Sequence, residues 1–499
     1  MSQLYDTVIR EVSVFDGSGA PPITADVAID RDRIAALGDV GGSARETLDG
    51  RGLALSPGFI DVHTHDDFAA VLSPQMDFKL CGGVTTCVVG NCGMGAAPFA
   101  QASAMARAFH PRASLPEWRG YAGYLAHLDR APAAVNIGAL IGHGTARLAA
   151  MGTEARAPHV KEMAAMKSIV AEGLEAGALG MSSGLIYDPG RFAETGELVE
   201  LAALMRGTGG LYATHMRDES TGLLASVREA IDIGERAGVP VQISHHKASG
   251  RSAWGLVRES LPLIERAQAR GIDVHADQYP YTAGSTVLSA VFRDGKFGGG
   301  IGMLQPEDVV IASTAAHPRW EGKSIVALAA EMHCAPAAAA ERVLAEEAGA
   351  TVVLHVMNED DVRTVMRHPS TMIGSDGIPT LEGKPHPRLY GTFARVLGRY
   401  ARDLGLFSLA EAVYRMTGFP AAKFGLEGRG AVKPGAYADL VLFDPKRILD
   451  RGTFEDPHRH PDGIVAVFVN GVISVRDAQP VGARAGRALR RASPPPLTR

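Results

Sequence analysis

Between residues 58 and 428 short apolar stretches alternate with Ala- and Glu-rich stretches of helical character, and that order imposes a parallel sheet with helices outside it. The candidate strands are FIDVHTH, VTTCVVG, AVNIGALIGH, ALGMSSGL, LYATHM, VQISHH, DVHADQY, VVLHVM and TMIGSD. Eight such strands close into an α/β barrel of (β/α)8 form. Nine candidates compete for eight positions, so DVHADQY or VVLHVM is left outside, and periodicity does not choose between them. The stretch from about 285 to 336 contains FRDGKFGGGIGML and fits no strand–helix unit. It reads as an insertion near the barrel mouth, of the kind that serves as a lid.

The ends of the chain have a different character. DTVIREVSVF, ADVAID and RIAALG near the start, and ADLVLFD and IVAVFVNGVISV near the end, alternate β-branched and polar residues as half-buried strands do. Residues 1–57 and 429–499 are therefore expected to form one small β-sandwich domain beside a barrel of residues 58–428. The last eight residues, ASPPPLTR, read as disordered.

Composition excludes several classes of function. No stretch approaches the roughly 20 apolar residues of a membrane span, and the net charge of −5 comes with no basic run to follow a phosphate backbone. Neither membrane nor nucleic acid is an expected partner. The start, MSQLYDTVIREVSVFDG, carries acids where a secretory signal needs a basic start and an apolar run, which points to the cytoplasm. Only four cysteines are present, three of them within twelve residues, so no disulfide framework is expected. Oligomeric state has no signature in the sequence.

In FIDVHTH the strand period places His63 and His65 on one face at the strand's C-terminal end, where barrels of this form carry their active sites. His215 in LYATHM, His245 in VQISHH and Asp376 in TMIGSDG also stand where apolar strands run out. Imidazole and carboxylate converging on a barrel axis make a metal site that suits Zn²⁺. The strand period sends His245 and His246 to opposite faces, so only one of them is a ligand. His143 ends the third strand and reads as a supporting histidine; His275 and His355 read as structural, Asp66 and Asp67 as hydrogen-bond acceptors.

SPGFIDVHTHDD near the start and GRGAVKPGAYADLVLFD near the end resemble the amidohydrolase superfamily. GVTTCVVGNCGMG, SSGLIYDPG, ATHMRDES, ISHHKASG, DQYPYTAGST and IGSDGIP followed by PHPRLYGTF resemble, in that order and over nearly the whole chain, its N-acyl-D-amino acid deacylase branch. The resemblance implies a TIM-like (β/α)8 metal-dependent hydrolase barrel that cuts the amide bond of an N-acyl-D-amino acid to a carboxylic acid and a D-amino acid. It implies one tightly held Zn²⁺ on Cys92, His215 and His245, with His63, His65 and Asp376 bordering a second, weaker position. It assigns Asp376 as general base and acid, and Lys247 and Tyr281 to the substrate carboxylate, with Arg388 a further candidate for an acidic group and Tyr187 lining the pocket. Superfamily members that bridge two metals use a carboxylated lysine on the fourth strand, and ALGMSSGL has none. Two rival readings remain: a cyclic amidase or deaminase of the same superfamily, and an inactive barrel that acts as a binding protein.

Overall fold

The computed structural model describes residues 4–107, 109–110 and 113–491; ASPPPLTR lies outside the described residues. Eight parallel strands form the barrel: β1 (Phe59–Asp61), β2 (Val84–Val89), β3 (Asn136–Gly142), β4 (Gly180–Gly184), β5 (Leu211–His215), β6 (Val241–Ile243), β7 (Val274–Gln278) and β8 (Thr371–Ile373). They pair in chain order, and a single bridge between Thr64 and Gly377 brings β8 back to the chain beyond β1. The period of two sorts their side chains. Ile60, Val62, Val88, Leu140, Ala213 and Met372 fill the interior, which Phe419 and Phe424 also join. Val89, Ile141, Met181, Tyr212, Ile243 and Ile373 face the surrounding helices in a second, larger core.

DVHADQY supplies β7, and VVLHVM is the candidate left outside. Its strand, Thr351–Leu354, is the middle of a three-stranded antiparallel sheet with Gly284–Val287 and Val309–Ser313. This sheet and the helices Ile325–Glu331 and Pro336–Glu346 bury Leu288, Val309, Trp320, Leu328, Val343 and Val352 in a core of their own. The inserted unit thus reaches Leu354, well past the 336 suggested by the glycine-rich stretch. Helical and strand residues beyond that position had been ordinary enough to pass for another barrel unit.

The two ends of the chain meet in one nine-stranded, largely antiparallel sheet. Leu440–Phe443 joins them by pairing antiparallel with Ala54–Pro57. Along that strand Leu440 and Leu442 pack with Val12, Ile29 and Phe468, while Val441 and Phe443 belong to the barrel's outer core. Burial on both faces explains its uniformly apolar sequence. The chain enters the barrel at Gly58, where a Cβ would lie 2.1 Å from Thr85 Oγ1, so only glycine fits. Among the described residues no helix is long and apolar enough to cross a membrane.

Candidate metal centre

Cys92, in the loop after β2, lies at the centre of the cluster. Its Sγ stands 3.4 Å from His63 Nε2, 3.6 Å from His215 Nδ1 and 3.5 Å from His245 Nε2. Metal bonds of about 2.3 Å to sulfur and about 2.0–2.1 Å to nitrogen separate tetrahedral ligand atoms by about 3.6 Å, so the donors are spaced as a zinc site requires. A second group shares Cys92 and adds His63, His65 and Asp376, the carboxylate Oδ1 lying 3.5 Å from His63 Nε2 and 3.2 Å from His65 Nε2. All six side chains are buried.

Delivering six donors to one point bends the backbone. Cys92, His245 and Asp376 have φ of +53°, +35° and +50°, a region that non-glycine residues enter at a cost of about 1–3 kcal/mol each. His63 and His65 are carried past the end of β1, which stops at Asp61, on a bent segment held by the bridge of Thr64 to Gly377. The turn at His245 separates it from His246, whose Nε2 instead meets Ser260 Oγ at 2.9 Å.

Charge is arranged to match. Burial opposes ionisation of the Cys92 thiol, but the charge of His63 and hydrogen bonds from His215, His245 and His63 hold it well below the usual thiol range. Burial likewise opposes ionisation of Asp376, and the Arg388 guanidinium, His245 and His65 outweigh it, holding the carboxyl well below its ordinary value. Arg388 Nη1 stands 2.9 Å from Asp376 Oδ2. A thiolate, a carboxylate and four imidazoles form a donor set fit for a borderline dication.

Two carboxylates without a sequence signal orient the rings. Glu219 Oε1 lies 2.9 Å from His245 Nδ1 and Oε2 lies 3.5 Å from His215 Nε2. Asp277 Oδ1 accepts the His245 backbone N–H at 2.8 Å and stands 3.3 Å from His63 Nδ1. With the outer nitrogens turned to carboxylates, the inner nitrogens are left to bind metal. Glu219 lies in the loop beyond β5, where strand periodicity does not reach, and Asp277 lies within β7 two residues after His275, a histidine that packs on Phe419 away from the cluster.

The residues expected to meet substrate divide. Lys247 Nζ donates to Glu219 Oε1 at 2.7 Å and to the His245 carbonyl at 2.9 Å, beside the cluster. Tyr187 sets its ring edge-on to His215, centroids 5.1 Å apart, and its hydroxyl 3.1 Å from Thr286 of the inserted unit. Arg388, fully buried, donates from Nη2 to the Ser285 carbonyl and leaves Nε without a hydrogen-bond partner. Tyr281 is turned elsewhere: its hydroxyl lies 3.5 Å from Asp450 Oδ2, and its ring underlies Arg395. Two residues earlier, Tyr279 presents its ring to Arg388 at 4.5 Å and to Lys247 at 5.8 Å. The two tyrosines of DQYPYTAG thus face different surroundings, Tyr281 towards Asp450 and Arg395 and Tyr279 towards Arg388 and Lys247, with the Tyr279 hydroxyl 3.9 Å from Met357 Sδ.

The remaining histidines stand apart from the cluster. His143 Nε2 meets Glu197 at 2.8 Å, with Arg147 on the same carboxylate. His275 stacks edge-on with Phe419 and His355 with Phe454. Asp66 accepts from Thr64, and the Asp67 carbonyl accepts from Tyr124.

A parallel barrel with a thiolate, imidazoles and a carboxylate converging beyond its strand ends defines the class of metal-dependent barrel hydrolases. The chain belongs to the amidohydrolase family, whose profile matches residues 46–288 and 262–475. Within the family its likeness is to the D-aminoacylase branch. It is 43% identical to a D-aminoacylase and 40% identical to an N-acyl-D-glutamate deacylase, both of Alcaligenes xylosoxydans xylosoxydans, over 98% of this chain and 98% of each relative. A crystal structure of N-acyl-D-glutamate deacylase from Bordetella bronchiseptica, complexed with zinc and a phosphonate mimic of the tetrahedral intermediate, superposes with a TM-score of 0.88. It shares 38% identity and covers 98% of this chain and all of its own.

Proposed function

We propose that the protein hydrolyses the amide bond of N-acyl-D-amino acids to a carboxylic acid and a free D-amino acid, with Zn²⁺ as its metal. The observation that carries this reading is Cys92 at tetrahedral donor spacing from His215 and His245, with the Asp376 carboxylate beside them. Zinc held by Cys92, His215 and His245 supplies a Lewis acid for the amide carbonyl and lowers the pKa of water. His63, His65 and Asp376 border a second, weaker position. Asp376 starts ionised because Arg388 and His65 adjoin it. It takes the proton from the attacking water and delivers it to the departing amine nitrogen, which otherwise leaves poorly.

The substrate carboxylate falls to the cationic side of the cluster, where Arg388 has a free Nε, Lys247 stands beside His245 and Tyr279 faces both. Tyr187 lines the opposite approach under the inserted unit. Residues 1–57 and 429–499 act as the accessory domain, and 58–428 as the catalytic one. We place the reaction in the cytoplasm, where four unpaired cysteines remain thiols.

Amine release from paired N-acetyl-D- and N-acetyl-L-amino acids, covering Met, Leu, Phe, Glu and Lys, tests the reading, with zinc determined in parallel. Hydrolysis of D forms over L forms is expected. Zinc-loaded protein that cuts none of them overturns it, and cyclic amides come next.

A further inference from the structure

The barrel is weakest in hydrogen bonds where it closes. Most neighbouring strands pair over three to five residues, whereas among the described residues β1 and β8 are joined by the single bridge between Thr64 and Gly377. Beside it the His65 N–H donates to the Gly377 carbonyl at 3.0 Å and the Asp376 N–H to the His63 carbonyl at 2.7 Å. This seam carries three of the six donor residues, His63 and His65 on one side and Asp376 on the other. Their mutual placement depends on what holds the seam.

A buried lysine fills that place. Lys79, in the short helix Asp77–Leu80 between β1 and β2, is 1% exposed. Its Nζ donates to Asp61 Oδ2 at 2.7 Å and Ser375 Oγ at 2.7 Å, and lies 3.4 Å from Asp66 Oδ2. Asp61 ends β1; Ser375 precedes Asp376. Asp61 Oδ1 in turn accepts the Ser375 N–H at 2.8 Å and faces the His63 N–H at 3.3 Å. The Ser375 hydroxyl donates to Asp61 Oδ2 at 2.5 Å and accepts the Gly377 N–H at 3.0 Å. A Cβ at Gly377 would lie 2.8 Å from Lys79 Nζ and 3.0 Å from Ser375 Oγ, so a side chain there would push the ammonium out of this arrangement. The ammonium thus has oxygens of Asp61, Ser375 and Asp66 around it, and through Asp61 and Ser375 it is tied to the backbone N–H groups of His63, Ser375 and Gly377. Buried polar networks satisfied to this degree fix one geometry.

We infer that Lys79, acting through Asp61 and Ser375, is a positioning residue that locks the barrel's first and last strands together and so sets His63 and His65 against Asp376. It touches neither substrate nor metal. The inference rests on the hydrolytic reading of the site, and places the precision of the proton-transfer carboxylate in a salt bridge outside the donor set.

The test compares Lys79→Met, Lys79→Arg and Ser375→Ala with the wild type, measuring kcat and KM on the best N-acyl-D-amino acid and titrating metal-free protein with zinc. In Lys79→Met and Ser375→Ala kcat is expected to fall at least tenfold with KM within twofold. The second equivalent of zinc should weaken at least tenfold while the first, on Cys92, His215 and His245, is unchanged; Lys79→Arg should recover part of both losses. Folded Lys79→Met and Ser375→Ala proteins with kcat and second-zinc affinity within twofold of wild type overturn the inference. Ser375→Ala changes no charge and decides alone if Lys79→Met does not fold. Should the wild type cut no N-acyl-D-amino acid, the hydrolytic reading fails on that result, and the zinc titration still judges Lys79.

Discussion

Glu219 Oε1 lies 2.9 Å from Nδ1 of His245, the ring whose Nε2 faces Cys92. Its carboxyl is held far below the ordinary range because Lys247 and the two histidines outweigh the cost of its burial. A fixed anion on the outer nitrogen keeps the proton there and leaves the inner lone pair for the metal. Glu219→Gln is expected to weaken the tightly held zinc by about 10–100-fold, read by competition with a chelator. An unchanged affinity would mean that the rings are oriented by packing alone.

How much of this was legible in the sequence follows from what leaves a periodic trace. The interior and exterior of β2 or β5 are written in alternating residues, and His63, His215 and Asp376 stand visibly at the ends of apolar runs. Glu219 and Lys79 do not, because each is defined by partners far away in the chain: Glu219 by Lys247, Lys79 by Ser375. VVLHVM has the composition of a barrel strand, and its antiparallel pairing with Gly284–Val287 and Val309–Ser313 places it elsewhere. Tyr279 and Tyr281 could be separated only by the geometry of the turn between them.

Cys92 is the donor common to both groups, so its loss should be felt more than that of any single histidine. Cys92→Ala is expected to leave less than one zinc per chain after dialysis, measured by elemental analysis, with activity lost in proportion. Retention of a full equivalent would remove Cys92 from the ligand set.

Asp376→Asn keeps the shape of the side chain while removing its capacity to take a proton. We expect kcat to fall by about 10²–10⁴-fold with one zinc retained, since Cys92, His215 and His245 are untouched. An active Asn variant would refute the proton-transfer role.

The two tyrosines of DQYPYTAG should separate cleanly by kinetics. Tyr279 turns its ring to Arg388 and Lys247, and if its hydroxyl meets the substrate carboxylate as proposed, Tyr279→Phe is expected to raise KM about tenfold through loss of one hydrogen bond to a charged group, about 1.5 kcal/mol. Tyr281, whose hydroxyl is nearest Asp450, should leave KM within twofold when changed to Phe. The reverse order would return the carboxylate contact to Tyr281.

His246 sets a pH dependence of stability rather than of catalysis. It is fully buried, with Nε2 on Ser260 Oγ and Nδ1 lacking a hydrogen-bond partner. Burial, reinforced by the neighbouring Lys247 charge, lowers its pKa to about 4. In the unfolded chain it titrates near 6.5. Between these values the unfolded state binds a proton that the folded state does not. Stability from this group therefore rises with pH from about 4 to about 6.5, is fully present above 6.5, and is lost on acidification by up to about 3 kcal/mol. His246→Gln retains a partner for Ser260 and does not titrate, so its Tm should fall less steeply than that of the wild type between pH 6.5 and 4.5. Both proteins are to be compared metal-free, so that release of zinc by protonated ligands does not enter the difference. Parallel Tm curves would show that His246 takes up its proton as readily in the folded protein as in the unfolded chain, and would overturn the depressed pKa.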